Sequence, residues 1–528
     1  MAAVDNSWGN GHARASAGAL RGALSPDGAV KIFRGVPYAE PPVGALRWRP
    51  PRPVVAWSGL RPATHYGPDS VQAPRPRGSV SDFGLGEIGE DCLYLNVWSA
   101  ATSPDERRPV MVWIHGGGFV YGSGRLPMFD GENLARRGVV VVTINYRLGP
   151  LGFLAHPDLV GESPRGVAGN YGFLDQIAAL EWTRDNIANF GGDPSRVTIF
   201  GQSVGSSCVC NLVASPLTKG LIHRAISQSG GSMSPMGAPG GGSMQSLAMA
   251  VEQGVEFAAR HGARTIEELR HKPAAALQLP PAGLAGAELD SEMARLRLSG
   301  WVIVDGNAIP ASAHSIYRDG KQNHVPLISG ANSHEGSTQP KPKSMAALEA
   351  QCAARFGAMN AAFFETYRIR AAADPLEAAR LAFFEGGFNW QNWKQARLHA
   401  QAGNATYSYH FRRTPAFPKG AVFSDNATEN LGAFHTAEIP FVFDNLAARD
   451  WPWTAEDRAF ANTMSSYWTN FAATGDPNGV GLPEWPRCDP AADAAMIFGD
   501  TAKAAATPAR DRLDFWERHY AATRPAGE

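Results

Sequence analysis

Three short runs of the first half of the chain are apolar at every position or nearly so: residues 110–114 (Val-Met-Val-Trp-Ile), 139–144 (Val-Val-Val-Val-Thr-Ile) and 197–200 (Val-Thr-Ile-Phe). They lack the alternation of a sheet with one wet face, so strands built from them must be covered on both faces. Between the second and third runs, Ile177, Leu180, Ile187 and Phe190 recur at helical spacing within residues 174–190. Further strands are predicted at 225–227, 325–328 and 406–411. Strands alternating with helices predict an α/β fold with a large, mostly parallel central sheet flanked by helices. Amphipathic helices over 249–260 and 346–356 read as helical insertions on one domain spanning residues 1–528, at about 235–300 and 340–400. The Gly/Pro/Met-rich stretch 230–242 reads as a flexible surface loop.

Composition narrows the classes of function. The 528 residues are 44% hydrophobic and 18% charged, with a formal net charge of −1. Nothing in that balance attracts nucleic acid or an anionic membrane. No apolar run is long enough to span a bilayer. The N-terminal residues show no basic segment leading into an apolar core, which predicts a cytoplasmic protein, and abundant Arg, Ala, Gly and Pro suggest a bacterial source. The five cysteines, Cys92, Cys208, Cys210, Cys352 and Cys488, are odd in number and show no CxxC spacing. That argues against a disulfide framework and a zinc site.

The chemistry concentrates in Gly201-Gln202-Ser203-Val204-Gly205, between the 197–200 strand and an apolar helical run. A strand turning sharply into a helix strains its turn residue and leaves no room for bulk beside it, hence the flanking glycines. The turn lifts the Ser203 hydroxyl clear and sets the Val204 amide at a helix N-terminus, where a developing anion is stabilised. Upstream, His115-Gly116-Gly117-Gly118-Phe119 follows the 110–114 strand directly. Consecutive glycines let main-chain amides approach a carbonyl oxygen, as in the oxyanion loop of esterases. A dinucleotide loop fails here, because Tyr121 stands where the third glycine of G-x-G-x-x-G belongs.

A serine nucleophile also needs a base and an orienting acid, which in this kind of fold follow it in the order acid, then histidine. His399, His410, His435 and His519 are the candidates for the base. His399 falls in a helical run and His410 in a strand, where structural histidines are common; His435 stands in a loop before an apolar segment, a better place for a catalytic group. Glu335, just past the 325–328 strand, is the candidate acid. The neighbouring His334 raises a metal alternative, but no HExxH pattern follows. Pattern alone leaves both assignments as candidates.

Longer motifs carry a family resemblance. Residues 33–39 (Phe-Arg-Gly-Val-Pro-Tyr-Ala), 90–97 (Glu-Asp-Cys-Leu-Tyr-Leu-Asn-Val) and 145–147 (Asn-Tyr-Arg) are followed by 169–172 (Gly-Asn-Tyr-Gly) and 190–194 (Phe-Gly-Gly-Asp-Pro). The order continues to 467–471 (Tyr-Trp-Thr-Asn-Phe) and 475–477 (Gly-Asp-Pro). Nearly end to end, the chain resembles the type-B carboxylesterases, which include the cholinesterases and bacterial p-nitrobenzyl esterases. The resemblance implies an α/β-hydrolase fold whose helical insertions form an active-site gorge. It implies Ser203 as nucleophile, Glu335 as acid and His435 as base, with an oxyanion hole from the amides of Gly117, Gly118 and Val204. It also implies structural ion pairs Arg47–Glu90 and Arg147–Asp175. No cofactor or metal is required. The expected partner is a small-molecule ester or carbamate, and the protein is expected to be a monomer or homodimer.

Departures from the family bear on specificity. The commonest elbow carries Glu where this chain has Gln202, so a neutral amide replaces a charge near the imidazole. Bacterial phenmedipham-type carbamate hydrolases share that Gln, which keeps aryl carbamates and amides as an alternative substrate class. Secreted relatives pair the Cys92 position with a cysteine where Ser70 stands here. The 70–90 segment lacks the tryptophan of cholinesterases, and Thr338 and Gln339 replace aromatics, which argues against a choline-ester specialist. Phe119, Gln202, Met236, Leu296 and Leu298 are the candidate pocket residues. The leading expectation is a serine carboxylesterase acting on neutral, moderately hydrophobic esters through an acyl-enzyme. A non-catalytic binding protein on the same fold is disfavoured, since such members lose the serine.

Overall fold

The structure is a computed structural model, and the description covers residues 8–72, 78–238, 244–278, 301–489 and 491–528. Eleven strands form the central sheet: β1 (Ala23–Leu24), β2 (Lys31–Pro37), β3 (Tyr94–Ser99), β4 (Arg108–Ile114), β5 (Val140–Ile144), β6 (Gly192–Gln202), β7 (Arg224–Gln228), β8 (Leu327–Asn332), β9 (Thr406–Phe411), β10 (Ala494–Phe498) and β11 (Ala502–Ala506). Their order across the sheet is β11-β10-β9-β8-β7-β6-β4-β5-β3-β2-β1. Strands β4 to β10 run parallel to their neighbours, and the two flanks, β3-β2-β1 and β11, are antiparallel.

The continuous apolar runs are explained by burial on both sides. In β4, Val110, Val112 and Ile114 pack into one apolar layer while Met111 and Trp113 enter the other. The first layer is closed by α1 (Tyr171–Asn186), α2 (Val204–Ala214), α6 (Asn389–Gln401) and α8 (Arg510–Thr523). The second is closed largely by α7 (Ala455–Thr474), through Phe460, Met464, Tyr467, Trp468 and Phe471. A capping box between Thr454 and Asp457 starts α7, and Gly475 at φ +84° ends it. Two of the other helices, α3 (Leu247–Arg260) and α4 (Met345–Phe356), match the predicted amphipathic segments, and α5 (Pro375–Glu385) follows them. Among the described residues, no helix is long and apolar enough to cross a membrane.

Three expectations need correction. The predicted strand at 325–328 lies two residues further on as β8, because Pro326 has no N–H for the ladder. The predicted helix over 174–190 ends as α1 at Asn186, and Ile187–Phe190 is a separate 3-10 turn stopped by Gly191 at φ +80°. The stretch read as a flexible surface loop is buried over residues 230–235. Side chains of two helices seize its backbone there. Ser206 and Ser207 hydroxyls donate to the Gly230 and Gly231 carbonyls, and Asn392 and Gln391 carbonyls accept from the Gly230 and Met233 amides. Residues 239–243 of that stretch lie outside the described residues.

Candidate active site

Strand β6 ends at Gln202 and α2 begins at Val204, so Ser203 alone makes the turn, at φ +60° and ψ −125°. A non-glycine residue in that region is strained, by about 1–3 kcal/mol. The neighbours leave no alternative path. A Cβ on Gly205 would lie 2.0 Å from the Ile114 carbonyl oxygen, and one on Gly201 would lie 2.6 Å from the Gly205 carbonyl. Ser203 N–H donates to Gln228 O at 2.9 Å, and Ser203 O accepts the first helical bond from Ser207 N at 3.1 Å. The N-terminal amides of α2 therefore open beside the hydroxyl.

The glycine loop that follows β4 curls onto itself next to the elbow. Val120 and Tyr121 N–H groups both donate to Gly117 O at 3.1 Å. Gly117 sits at φ +114°, where a Cβ would fall 1.8 Å from Tyr121 O. A Cβ on Gly116 would come within 2.9 Å of the Ser203 Cβ, so this loop lies directly against the serine. Phe119 adopts φ +61°, with its carbonyl bonded by Gly149 N–H at 2.6 Å and its ring against Phe153 and Trp301.

Glu335 follows β8 by three residues and is almost wholly buried. Its Oε1 accepts from Asn332 N–H at 2.7 Å, and its Oε2 pairs with His435 Nδ1. The His435 ring packs on Phe388, with centroids 4.4 Å apart. Its loop is gripped through three successive carbonyls. Ala433 O accepts from His334 N–H at 3.2 Å, Phe434 O from Asn332 Nδ2 at 2.7 Å, and His435 O from Gln202 Nε2 at 2.5 Å. Those bonds tie the histidine to the end of β8 on one side and to the serine elbow on the other.

A second carboxylate lies behind the pair. Glu438 is fully buried, accepting from Asn332 Nδ2 at 2.7 Å and from Gln228 Nε2 at 3.3 Å. Burial pushes its pKa up to about 7; the bond from Asn332 opposes the rise and the nearby Glu335 adds to it. Both Asn332 and Glu438 escaped the reading of the sequence. Their signal was polarity out of place: Asn332 ends a buried strand, and Glu438 precedes the apolar segment 439–443.

His399 is buried in α6, bonded to Val325 O at 2.7 Å and Gln322 at 3.2 Å, while His410 lies on β9 and His519 in α8. Burial holds each of the three down at about 4, which suits neutral structural imidazoles. The His334 ring pairs with Ser333 Oγ at 2.8 Å. Among the described residues, no group of three or more His, Cys, Asp or Glu could hold a metal ion. Gln202 is buried at the elbow. Met236 is half-buried, its N–H directed to the Glu528 carboxylate at 3.1 Å. Leu296 and Leu298 lie outside the described residues. Arg47 meets Glu90 through two bonds of 2.6 Å, and Arg147 meets Asp175 at 2.6 and 2.8 Å. Ser70 donates to Tyr146 O, and Cys92 is a free, buried thiol.

A mostly parallel sheet in which one strand ends on a strained serine at a helix N-terminus is the α/β-hydrolase architecture in its serine-hydrolase form. The carboxylesterase family model matches residues 10–516. The fumonisin B1 esterase of Sphingopyxis macrogoltabida is 36% identical over 485 residues, covering 90% of this chain and 84% of that protein. The liver carboxylesterase of Sus scrofa is 35% identical over 533 residues, covering 94% and 89%. Among solved structures, a PNB esterase superposes with a TM-score of 0.77 at 29% identity, covering 96% of this chain and 99% of its own. The chain belongs to the carboxylesterase family and is a carboxylic ester hydrolase.

Proposed function

We propose that Ser203 attacks the ester carbonyl, that His435 takes its proton through Nε2, and that Glu335 holds the imidazole in the tautomer this requires. The observation that carries the reading is the Glu335 Oε2–His435 Nδ1 pair, anchored through Gln202 to the turn that bears Ser203. With Nδ1–H given to the carboxylate, Nε2 is left basic, and the buried carboxylate stabilises the imidazolium that forms. The amides of Gly117, Gly118 and Val204 receive the oxyanion, each worth about 3–4 kcal/mol of barrier. The alcohol departs with the histidine's proton, leaving an acyl-enzyme, and water repeats the cycle to release the acid.

The substrate class is a neutral, moderately hydrophobic ester. Met236, half-buried, suits an adaptable apolar acyl site, and a relative named as a medium-chain fatty acyl-CoA hydrolase, 34% identical over 541 residues, favours an acyl chain of several carbons. Gln202 supports aryl carbamates or amides as a second class, through the likeness of its elbow to phenmedipham-type hydrolases. A panel of p-nitrophenyl esters of rising acyl length beside phenylcarbamates tests both. The expected result is a maximum in kcat/KM at intermediate acyl length. Turnover of the carbamates above every ester would transfer the assignment to the second class.

A further inference from the structure

A polar side chain outside the chemistry described above holds the glycine loop. Gln72 is 2% exposed and follows the short strand Asp69–Ser70. Its amide makes two bonds to one residue: Gly122 N–H donates to Oε1 at 2.7 Å, and Nε2 donates to Gly122 O at 2.9 Å. Nε2 also donates to Ser70 O at 3.0 Å, which fixes the amide's own orientation. Gly122 closes the loop on itself. At φ +124°, a Cβ there would lie 2.3 Å from His115 Nδ1 and 2.5 Å from Gly116 O. The exit of the loop thus rests on its entry.

The entry is held from the same segment. Tyr146 Oη donates to His115 O at 2.8 Å, the two rings stack at 4.5 Å, and Ser70 Oγ donates to Tyr146 O at 2.6 Å. Between these two ends lie Gly117 and the left-handed, non-glycine Phe119. Such a conformation persists only where its surroundings over-determine it. The turn bonds from Val120 and Tyr121 to Gly117 O are internal to the loop and would move with it. The Gln72 bonds, like the Gly149 N–H bond to Phe119 O, come from outside and fix the loop in the frame of the fold; they act through a side chain at its exit, Gly122.

We propose that Gln72 is a positioning residue that sets the Gly117 and Gly118 amides by clamping Gly122. The proposal rests on the reading of those amides as the oxyanion hole. Donors of this kind act only when aimed at the place where charge develops, and a displacement of about 1 Å can cost 100-fold in rate.

Two variants test it. Gln72→Met keeps the length and removes both bonds; Gln72→Glu keeps the acceptor for Gly122 N–H. In Gln72→Met, kcat for p-nitrophenyl butyrate should fall about 10- to 100-fold with KM within about twofold. Affinity for a trifluoromethyl ketone, which forms an oxyanion on the serine, should fall by the same factor as kcat/KM. Hydrogen exchange of residues 117–122 should quicken in Gln72→Met, with the Gly122 amide staying slow in Gln72→Glu. Unchanged kcat and unchanged exchange in Gln72→Met would overturn the proposal. So would a loss of activity that merely follows the folded fraction while ketone affinity of the folded enzyme holds. Were the wild-type protein inert towards esters and towards serine-directed probes, the hydrolase reading would fall, and exchange at 117–122 would still decide whether Gln72 holds the loop.

Discussion

The two sides of the site are built from different materials. On the elbow side, residues 115–122 and 201–205 work through main-chain groups, and their geometry depends on the absence of side chains: Cβ atoms added at Gly116, Gly117, Gly122, Gly201 or Gly205 would strike backbone at 1.8–2.6 Å. On the histidine side, residues 332–335 and 433–438 work through side chains, joined by Asn332, which bonds the Phe434 carbonyl, Glu438 and, through its own N–H, Glu335. The first side is sensitive to volume and the second to charge and hydrogen bonding. Gln202 spans them, since it belongs to the elbow yet bonds the His435 carbonyl.

The largest effect should come from the histidine side. Glu335→Gln preserves shape, but an amide nitrogen facing Nδ1 favours the wrong imidazole tautomer. The expected loss is about 10⁴-fold in kcat with stability nearly unchanged, checked by steady-state kinetics and a thermal melt. A fall below tenfold would show that the pair is structural. Next, Gly117→Ala changes no charge and no hydrogen-bonding side chain, yet its methyl group meets Tyr121 O and the residue must hold φ +114°. It should cost about 10²- to 10³-fold in kcat, measured on the folded fraction. An active Gly117→Ala enzyme would dissolve the distinction between the two sides.

The smallest effect concerns Glu438. Its folded-state pKa of about 7 lies above that of an unfolded glutamate, so the folded protein binds the proton more tightly. Its contribution to stability is full below about pH 4.3 and is lost as pH rises through 7. Glu438→Gln does not titrate. The melting temperature of the variant relative to wild type should therefore rise by about 3 °C between pH 5 and pH 8. A difference independent of pH would remove Glu438 as a titrating group behind the pair.

The same contrast explains what the sequence disclosed. The elbow and glycine loop were legible because local backbone geometry demands Gly201, Gly205 and Gly116 to Gly118, and glycine requirements leave a contiguous mark. The buried parallel strands were legible because covering both faces leaves unbroken apolar runs such as 110–114. Glu335 and His435 could only be named as candidates from pattern, because a sheet crossing 100 residues of sequence brings them together. Asn332, Glu438 and Gln72 escaped because a single polar residue meant for a buried partner looks, in sequence, like any surface residue. The 230–235 backbone misled for the converse reason: its glycines serve close approach by Ser206, Ser207 and Gln391, not freedom. The antiparallel flanks were missed for lack of an unbroken apolar run: β1 spans two residues, β2 carries Lys31, Arg34 and Gly35, and β11 is largely exposed alanine with a lysine.

The central claim is that the strained turn at Ser203 presents the nucleophile to a base held by Glu335. Incubation with a fluorophosphonate, followed by intact mass and peptide mapping, tests it directly. The account predicts one adduct per chain, on Ser203, with parallel loss of p-nitrophenyl ester hydrolysis and labelling slowed severely in Glu335→Gln. An unlabelled protein, or an adduct on another residue accompanying the loss of activity, would contradict it.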